Sequence, residues 1–469
     1  MNPSIRAARS PPSRRVCVIG AGPCGLTTVK NLLAAGIDDI VCYEEASAIG
    51  GNWVYDDAPD RRSVYQATRL ISSKRLSEFE DFPMPGDYPD FPSHRQMLDY
   101  FEAYAAHFNL PAKIALETRV ESASRRPDGK WSVGVAGPGP GGKRVETFDD
   151  LIVCSGHHRD PLMPEYPGAF SGRMLHSREY KRPEPFENQR VLVVGGGNSA
   201  CDIAVDVSRV AGSVSISMRE GYFILPKMMF GRPTDQVYGK LRRYLPNSPR
   251  FLLDAIARAV VRFQVGPWEK YGLQAPKGSP IAMHPTLNTG ILGALRDGSV
   301  RARPAISRLD GRLVRFSDGS ADHFDTVIWA TGFRFGYPFL DDAIMGADCT
   351  RFPPLYLGMM HPRIENLYFI GLFQPIGCIW RLADLQARIA ALQIKGVLQR
   401  PSDVGARSER EASLRRRRYG TAPRHLIEVD YHDFRRDLQR ELGGYAVATA
   451  SSQLACASRA SDSRVSAER

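Results

Sequence analysis

The chain has 469 residues, 43% hydrophobic and 24% charged, with 62 Lys and Arg against 51 Asp and Glu and a formal net charge of +11. That length exceeds what one core supports, so two units, or one unit with a large insertion, are expected, with enough apolar sequence to enclose a cofactor. The basic excess does not mark a nucleic-acid binder: it concentrates in Arg6 to Arg15, Arg415 to Arg418 and Arg435 to Arg440, with no zinc-finger spacing and no aromatic-basic sheet signature.

The eight cysteines, Cys17, Cys24, Cys42, Cys154, Cys201, Cys349, Cys378 and Cys456, include no CxxC pair and no Cys/His cluster with metal-ligand spacing. No metal site is expected, and several of them stand in apolar runs as small hydrophobes, which suits a reducing cytoplasm. The N-terminus lacks the apolar region of a secretory signal and no stretch has transmembrane length. The expectation is a soluble, cytoplasmic protein that engages neither membrane nor nucleic acid.

In chain order, residues 1–14 read as disordered. Val16 to Ile19 is an apolar strand, Leu26 to Gly36 has helical spacing, and Asp39 to Glu45 is a second strand. Between the first strand and the helix lies Gly20-Ala21-Gly22-Pro23-Cys24-Gly25, a GxGxxG turn. Gly20 permits the tight turn, Gly22 lets the backbone approach a pyrophosphate, and Gly25 lets the helix pack on the strand. The pyrophosphate would sit at the positive end of the helix. Glu44 ends the second strand, where a carboxylate accepts both ribose hydroxyls and repels a 2′-phosphate, favouring FAD or NAD over NADP. Gly50 and Gly51 then let the backbone lie close to a cofactor. Trp53 reads equally as core packing or as a flavin contact. A helix is expected from His94 to Phe108, and a β meander over 116–156 from Leu116 to Arg126, Lys130 to Gly137 and Phe148 to Gly156, with a loop at Gly137 to Gly142.

A second strand–turn–helix–strand unit runs from Arg190 to Glu220. Its turn, Gly195-Gly196-Gly197-Asn198-Ser199-Ala200, replaces the third glycine by alanine, and Arg219 closes its second strand. A guanidinium there can grip a 2′-phosphate bidentately, so this unit favours NADP. Ser217 could add a hydroxyl contact, although an ordinary strand serine is the better reading of it alone. Residues 222–283 look irregular or helical. Strand-rich sequence follows from Ser299 to Gly332, then the strand Asn366 to Leu372, a helix from Asp384 to Gln399, and a polar tail after about Tyr445. The fold class is α/β with two Rossmann-like dinucleotide-binding domains. Absence of a CxxC near either turn argues against a disulfide reductase.

Between the two turns stands Phe170-Ser171-Gly172-Arg173-Met174-Leu175-His176-Ser177-Arg178-Glu179-Tyr180. It matches FxGxxxHxxx(Y/F), carried by Phe170, Gly172, His176 and Tyr180, and resembles the fingerprint of flavin-containing monooxygenases. The related Baeyer–Villiger enzymes end theirs in Trp or Pro. The resemblance extends from about Val16 to Leu442 through Asp81 to Pro85, Val153 to His158, Trp329 to Phe333 and Asp384 to Arg388. It implies an NADPH domain at 161–325 inserted in a discontinuous FAD domain at 15–160 and 326–445, with a disordered tail at 446–469.

It further implies that NADPH reduces FAD, that NADP+ stays bound, and that a C4a-hydroperoxyflavin passes one oxygen atom to a soft nucleophile, an amine nitrogen or sulfide sulfur. The cofactor does the chemistry, so no side chain is assigned as catalytic. By the same resemblance Gly20, Gly22, Cys24, Gly25, Glu44, Gly51, Trp53, Ser72 and Gln374 would contact FAD. Gly195, Gly197, Asn198, Ser199, Ser217 and Arg219 would contact NADP. A homodimer is the assembly that it suggests, and Trp380 and Arg381 fall near where the family places substrate, although packing is the better reading of each. One departure stands out: Ile71 occupies the place of a family Asn, and an aliphatic side chain cannot replace its amide. The alternatives are therefore an uncoupled NADPH oxidase that releases hydrogen peroxide, a Baeyer–Villiger-type enzyme, and a non-enzymatic FAD/NADPH redox-sensing module.

Overall fold

The computed structural model describes residues 14–58, 64–138, 142–244, 250–280, 285–345, 354–420 and 426–443. The expectations for residues 1–13 and for the tail lie outside them. Two five-stranded sheets organise the rest, and every strand pairing within each is parallel.

The first sheet contains β1 (Val16–Ile19), β2 (Ile40–Tyr43), β3 (Ile114–Ala115), β4 (Asp150–Val153) and β10 (Leu367–Phe369), in the order β10-β4-β1-β2-β3. The second contains β5 (Arg173–His176), β6 (Arg190–Val194), β7 (Ser213–Ser217), β8 (Val300–Arg303) and β9 (Thr326–Trp329), in the order β5-β9-β6-β7-β8. The central strands are apolar on both faces because parallel sheets are covered on both sides; β1, β4 and β9 are buried throughout. All strands of the second sheet lie in sequence between β4 and β10 of the first.

Helix α1 (Pro23–Ala34) starts with Pro at its first position, where the missing N–H costs nothing. Helix α2 (His94–His107) opens on a capping box: Gln96 N donates to Ser93 Oγ at 3.4 Å, and Ser93 N donates to Gln96 Oε1 at 3.0 Å. In the second unit α3 (Asn198–Val207) follows the glycine turn. Two further helices, α4 (Thr234–Tyr244) and α5 (Arg250–Val265), and several two-residue strands fill the stretch read as irregular or helical.

Three readings need correction. The expected meander is Arg119–Arg125, Trp131–Ala136 and Lys143–Phe148; Asp150–Val153 leaves it for the parallel sheet, because its four residues are buried on both faces. Strand β9 pairs with β5 and β6, so the second sheet runs past residue 325. The helix expected at Asp384 begins at Ile379 and ends at Ile394 (α6), so Trp380 and Arg381 lie within it. Its Asp384 faces α1, accepting from Lys30 Nζ at 2.7 Å, from Asn31 Nδ2 at 2.8 Å and from Thr27 Oγ1. Gln386 Oε1 accepts from Gly371 N at 3.0 Å. That motif therefore ties α6 to the first sheet.

Candidate cofactor and oxygen-transfer site

At the end of β1, Gly20 has φ +100, and a Cβ there would lie 2.9 Å from the carbonyl oxygen of Cys154. A Cβ on Gly25 would fall 1.8 Å from Gly20 O, so α1 lies directly on its own turn. Gly22 caps α1 with extended backbone and no side-chain cap, leaving the first amides of the helix to a ligand. A Cβ built on Gly22 would meet Gly51 Cα at 3.6 Å, and one on Gly51 would meet Gly22 Cα at 3.1 Å. Two bare backbones thus face one another, forming a cradle that any larger residue would fill. Glu44 is buried; its Oε2 accepts from Ala21 N at 2.7 Å and its Oε1 from Ala46 N at 2.9 Å. Cys24 sits in the first turn of α1, its thiol pushed up to about 12 by burial.

The second turn repeats the plan. Gly195 has φ +137, and a Cβ would lie 2.3 Å from Ala330 O. Gly197 caps α3 in extended backbone with no side-chain cap, and a Cβ on it would meet nothing within 4 Å. Gly196 was not singled out from sequence, yet a Cβ there would fall 2.2 Å from the Tyr222 ring. Asn198 Oδ1 accepts from Leu287 N at 2.8 Å, and Ser199 is exposed on the first turn. Arg219 is exposed just beyond β7, and its charge reaches the Tyr166 ring, which stacks on Trp329 at 5.8 Å. Ser217 is buried and donates to Pro304 O at 2.6 Å.

The chain crosses between the units twice, and the two crossings pair. Asp160–Pro161 and Phe333–Arg334 form an antiparallel ribbon, with Leu162 N donating to Gly332 O at 3.0 Å. The fingerprint residues build the second unit's side of this joint. His176 Nδ1 accepts from Arg178 N at 3.2 Å, which leaves Nε2 to donate to Gly332 O at 3.0 Å. Gly172 admits no side chain: a Cβ would lie 2.5 Å from Asp325 O and 2.6 Å from the Phe170 ring. Tyr180 is buried and donates to Asp206 Oδ2 at 2.7 Å. Phe333 lies between His176 and His158, at 5.0 Å from each.

Near the joint, His157 Nε2 and Gln374 Oε1 are 3.4 Å apart. Burial pushes His157 down to about 3. Solvent reaches the ring of His158, while protein encloses it closely enough to push it down to about 4. Both are neutral at physiological pH. Trp53 packs edge-on against Trp380 at 5.8 Å and close to Phe101 at 6.2 Å; Trp380 Nε1 donates to Ser77 O, and Arg381 pairs with Glu80. Ser72 Oγ is 2.8 Å from Ser77 Oγ. Ile71 is 38% exposed, with no side-chain polar atom to offer. Among the described residues, no group of three or more His, Cys, Asp or Glu could hold a metal ion, and no helix is long and apolar enough to cross a membrane.

A family profile described as flavin-binding monooxygenase-like matches residues 13–448. The chain belongs to that family. Similar curated proteins include dimethylaniline monooxygenase [N-oxide-forming] 2 of Rattus norvegicus, 34% identical over 458 residues, covering 92% of this chain and 83% of the relative. Flavin-containing monooxygenase 5 of the same organism is 35% identical, covering 90% and 81%. Among solved structures, S-allyl-L-cysteine S-oxygenase from Allium sativum aligns with TM-score 0.69 and 25% identity over 92% of this chain and 88% of that one. Cyclohexanone monooxygenase from Rhodococcus sp. Phi1 bound to NADP+ aligns with TM-score 0.68 over 92% and 98%, at 15% identity, and shows the shared fold. This monooxygenase is an oxidoreductase that uses FAD and NADPH, and the two glycine cradles fit two dinucleotides.

Proposed function

We propose that this monooxygenase transfers one oxygen atom from O2 to the nitrogen or sulfur of a small amine or sulfide. The reaction consumes one NADPH and one proton and yields NADP+, water and the N- or S-oxide. The observation that carries this reading is the paired cradle, with a buried carboxylate at one strand end and an exposed guanidinium at the other, joined by a two-stranded ribbon. The names of the N-oxide-forming and S-oxygenating relatives support the substrate class.

In this reading the unit carrying Gly20, Gly22, Cys24, Gly25, Glu44, Gly51, Trp53, Ser72 and Gln374 holds FAD. The unit carrying Gly195, Gly197, Asn198, Ser199, Ser217 and Arg219 holds NADPH, inserted between the two halves of the first. Bound FAD supplies the redox chemistry, accepting a hydride from NADPH and passing electrons to O2. The chain's own residues bind, orient and exclude water. Glu44 takes the ribose hydroxyls of the first dinucleotide, and Arg219 takes the 2′-phosphate of the second. His157 and His158, neutral and enclosed, offer no ready proton beside Gln374.

The experiment mixes FAD-loaded protein with NADPH, O2 and a panel of tertiary amines and thioethers. NADPH oxidation, peroxide release and oxide formation are then counted together. Oxide in near one-to-one ratio with NADPH supports the reading. NADPH oxidation with stoichiometric peroxide and no oxide from any amine or sulfide would replace it by the oxidase, for which Ile71 is the first residue to examine. No oxygen consumption at all would leave only a redox-sensing module.

A further inference from the structure

The peptide around Ile71 runs between the two units and is held from the second one. Leu70 and Ser73 are buried, with Ile71 partly exposed between them. Lys227 Nζ donates to Leu70 O at 3.1 Å. Ser73 N donates to Asp235 Oδ2 at 2.5 Å, and Gln236 Nε2 reaches Ser73 Oγ at 3.4 Å. A cation thus takes the carbonyl on one side of Ile71, and an anion takes an amide on the other. Both contacts are to backbone, so they hold the peptide whatever side chain occupies position 71.

The two charges come from opposite ends of one hairpin. Thr234 closes it, its N donating to Lys227 O at 2.9 Å and its Oγ1 to Pro226 O at 2.6 Å. Met228–Met229 pairs with Arg232–Pro233, and the tip residues Phe230 and Gly231 both have positive φ, at 52° and 71°. A tightly closed base therefore fixes the spacing of the charged side chains. Lys227 also lies 5.3 Å from the Phe91 ring and is attracted by Asp202.

Asp202 belongs to α3, the helix that begins at the second glycine turn. It accepts from Asn288 Nδ2 at 2.5 Å and from Tyr65 Oη at 2.7 Å, and Tyr65 lies on the first-unit side of the same segment. A continuous path of hydrogen bonds and charge thus leads from the mouth of the second cradle to the peptide carrying Ile71. Burial pushes Lys227 down and Asp235 up, as expected where water is kept out.

We propose that Lys227 and Asp235 are positioning residues, a charged clamp through which a dinucleotide held at the second turn fixes the Leu70–Ser73 peptide. In catalysis this fixation does by backbone what a side-chain amide at position 71 would do, keeping reduced oxygen from escaping as peroxide; that consequence rests on the monooxygenase reading. Peroxide escape is the reaction of NADPH, a proton and O2 to NADP+ and hydrogen peroxide, so the clamp is read by how NADPH electrons divide between peroxide and oxide.

The test uses the full chain in two arms. In the first, amide hydrogen exchange is measured without FAD, with and without NADP+. NADP+ is expected to slow exchange across residues 66–78 about fivefold in the unaltered protein. Asp235→Ala and Lys227→Met should speed that exchange about tenfold and abolish the NADP+ effect, while β1 and β6 stay protected. Lys227→Arg, which keeps the cation, should retain protection and serves if Lys227→Met fails to fold.

In the second arm the FAD-loaded variants should release more peroxide per NADPH, with Lys227→Arg near the unaltered value. Unchanged exchange across 66–78 in both Asp235→Ala and Lys227→Met would overturn the clamp. So would protection that is independent of NADP+ in the unaltered protein. Failure of the unaltered, FAD-loaded protein to consume oxygen would sink the monooxygenase reading alone, since the first arm decides the clamp without turnover.

Discussion

Gly22 and Gly197 cap their helices with nearly the same backbone, φ −71 and ψ −179 against φ −81 and ψ 178. Three residues on, α1 carries Gly25 and α3 carries Ala200. The space at Gly25 is filled by the carbonyl of Gly20, because Lys30, Asn31 and Thr27 bind α1 to Asp384 of α6. Helix α3 stands further from its turn and leaves room for a methyl group. The strand ends diverge in the same sense. Glu44 is buried and held by two backbone amides, whereas Arg219 is exposed. A pre-formed, enclosed acceptor suits a cofactor that stays, and an open cation suits a coenzyme that arrives and leaves. One backbone plan can thus be tuned for retention or exchange through contact distance and burial alone.

The largest expected effect separates the two helices. Gly25→Ala should abolish recovery of FAD-loaded protein, since the new methyl would overlap Gly20 O. Ala200→Gly should cost only about 1 kcal/mol of helix stability, read as a small drop in melting temperature. If the two substitutions proved equally mild, the contrast in packing would be wrong. Next come the strand ends. Arg219→Ala should raise KM for NADPH about 10- to 100-fold and leave that for NADH nearly unchanged, one charge-assisted pair being lost. Glu44→Gln should instead weaken FAD retention by about tenfold, measured by dialysis and flavin absorbance, with the NADPH KM unmoved. A change in the same constant for both would collapse the assignment of the two cradles.

A smaller effect is expected at Tyr180→Phe, which removes a donor from the buried Asp206 and should cost about 1–3 kcal/mol in urea unfolding without altering the NADPH/NADH preference. The least is expected from pH. His157 and His158 are held below the usual imidazole value, so the unfolded chain binds more protons than the folded one between that value and their folded values of about 3 and 4. Their contribution to stability is therefore intact near neutral pH and is lost progressively as pH falls below about 6.5. His157→Gln should flatten that fall in melting temperature. An unchanged slope would place the titration elsewhere.

Much of this was legible in the sequence because parallel-sheet dinucleotide units advertise themselves locally. The apolar runs at Val16 and Val191, the glycine turns, and the opposite charges at Glu44 and Arg219 all fall within short stretches. The meander was misread because Asp150–Val153 follows Lys143–Phe148 without a break, and the strand changes sheet through burial rather than through turn residues. The role of Asp384 was invisible, since its partners on α1 lie more than 350 residues away. The hairpin bearing Lys227 and Asp235 was hidden for another reason: its two-residue strands have no periodicity to read. Tyr222 could have been found, because Gly196 is a third consecutive glycine in a turn whose other two already do the known work.

The residues by which such chains are recognised have a consequence for recognition itself. Phe170, Gly172 and His176 fill and fasten a joint, and His176 spends both ring nitrogens on backbone partners. Selection on this stretch therefore guards the alignment of two bodies, not a chemical step. A chain that had lost its power to oxygenate could keep the signature intact for as long as its halves still needed to be held in register, and a protein retaining it testifies to architecture before it testifies to turnover.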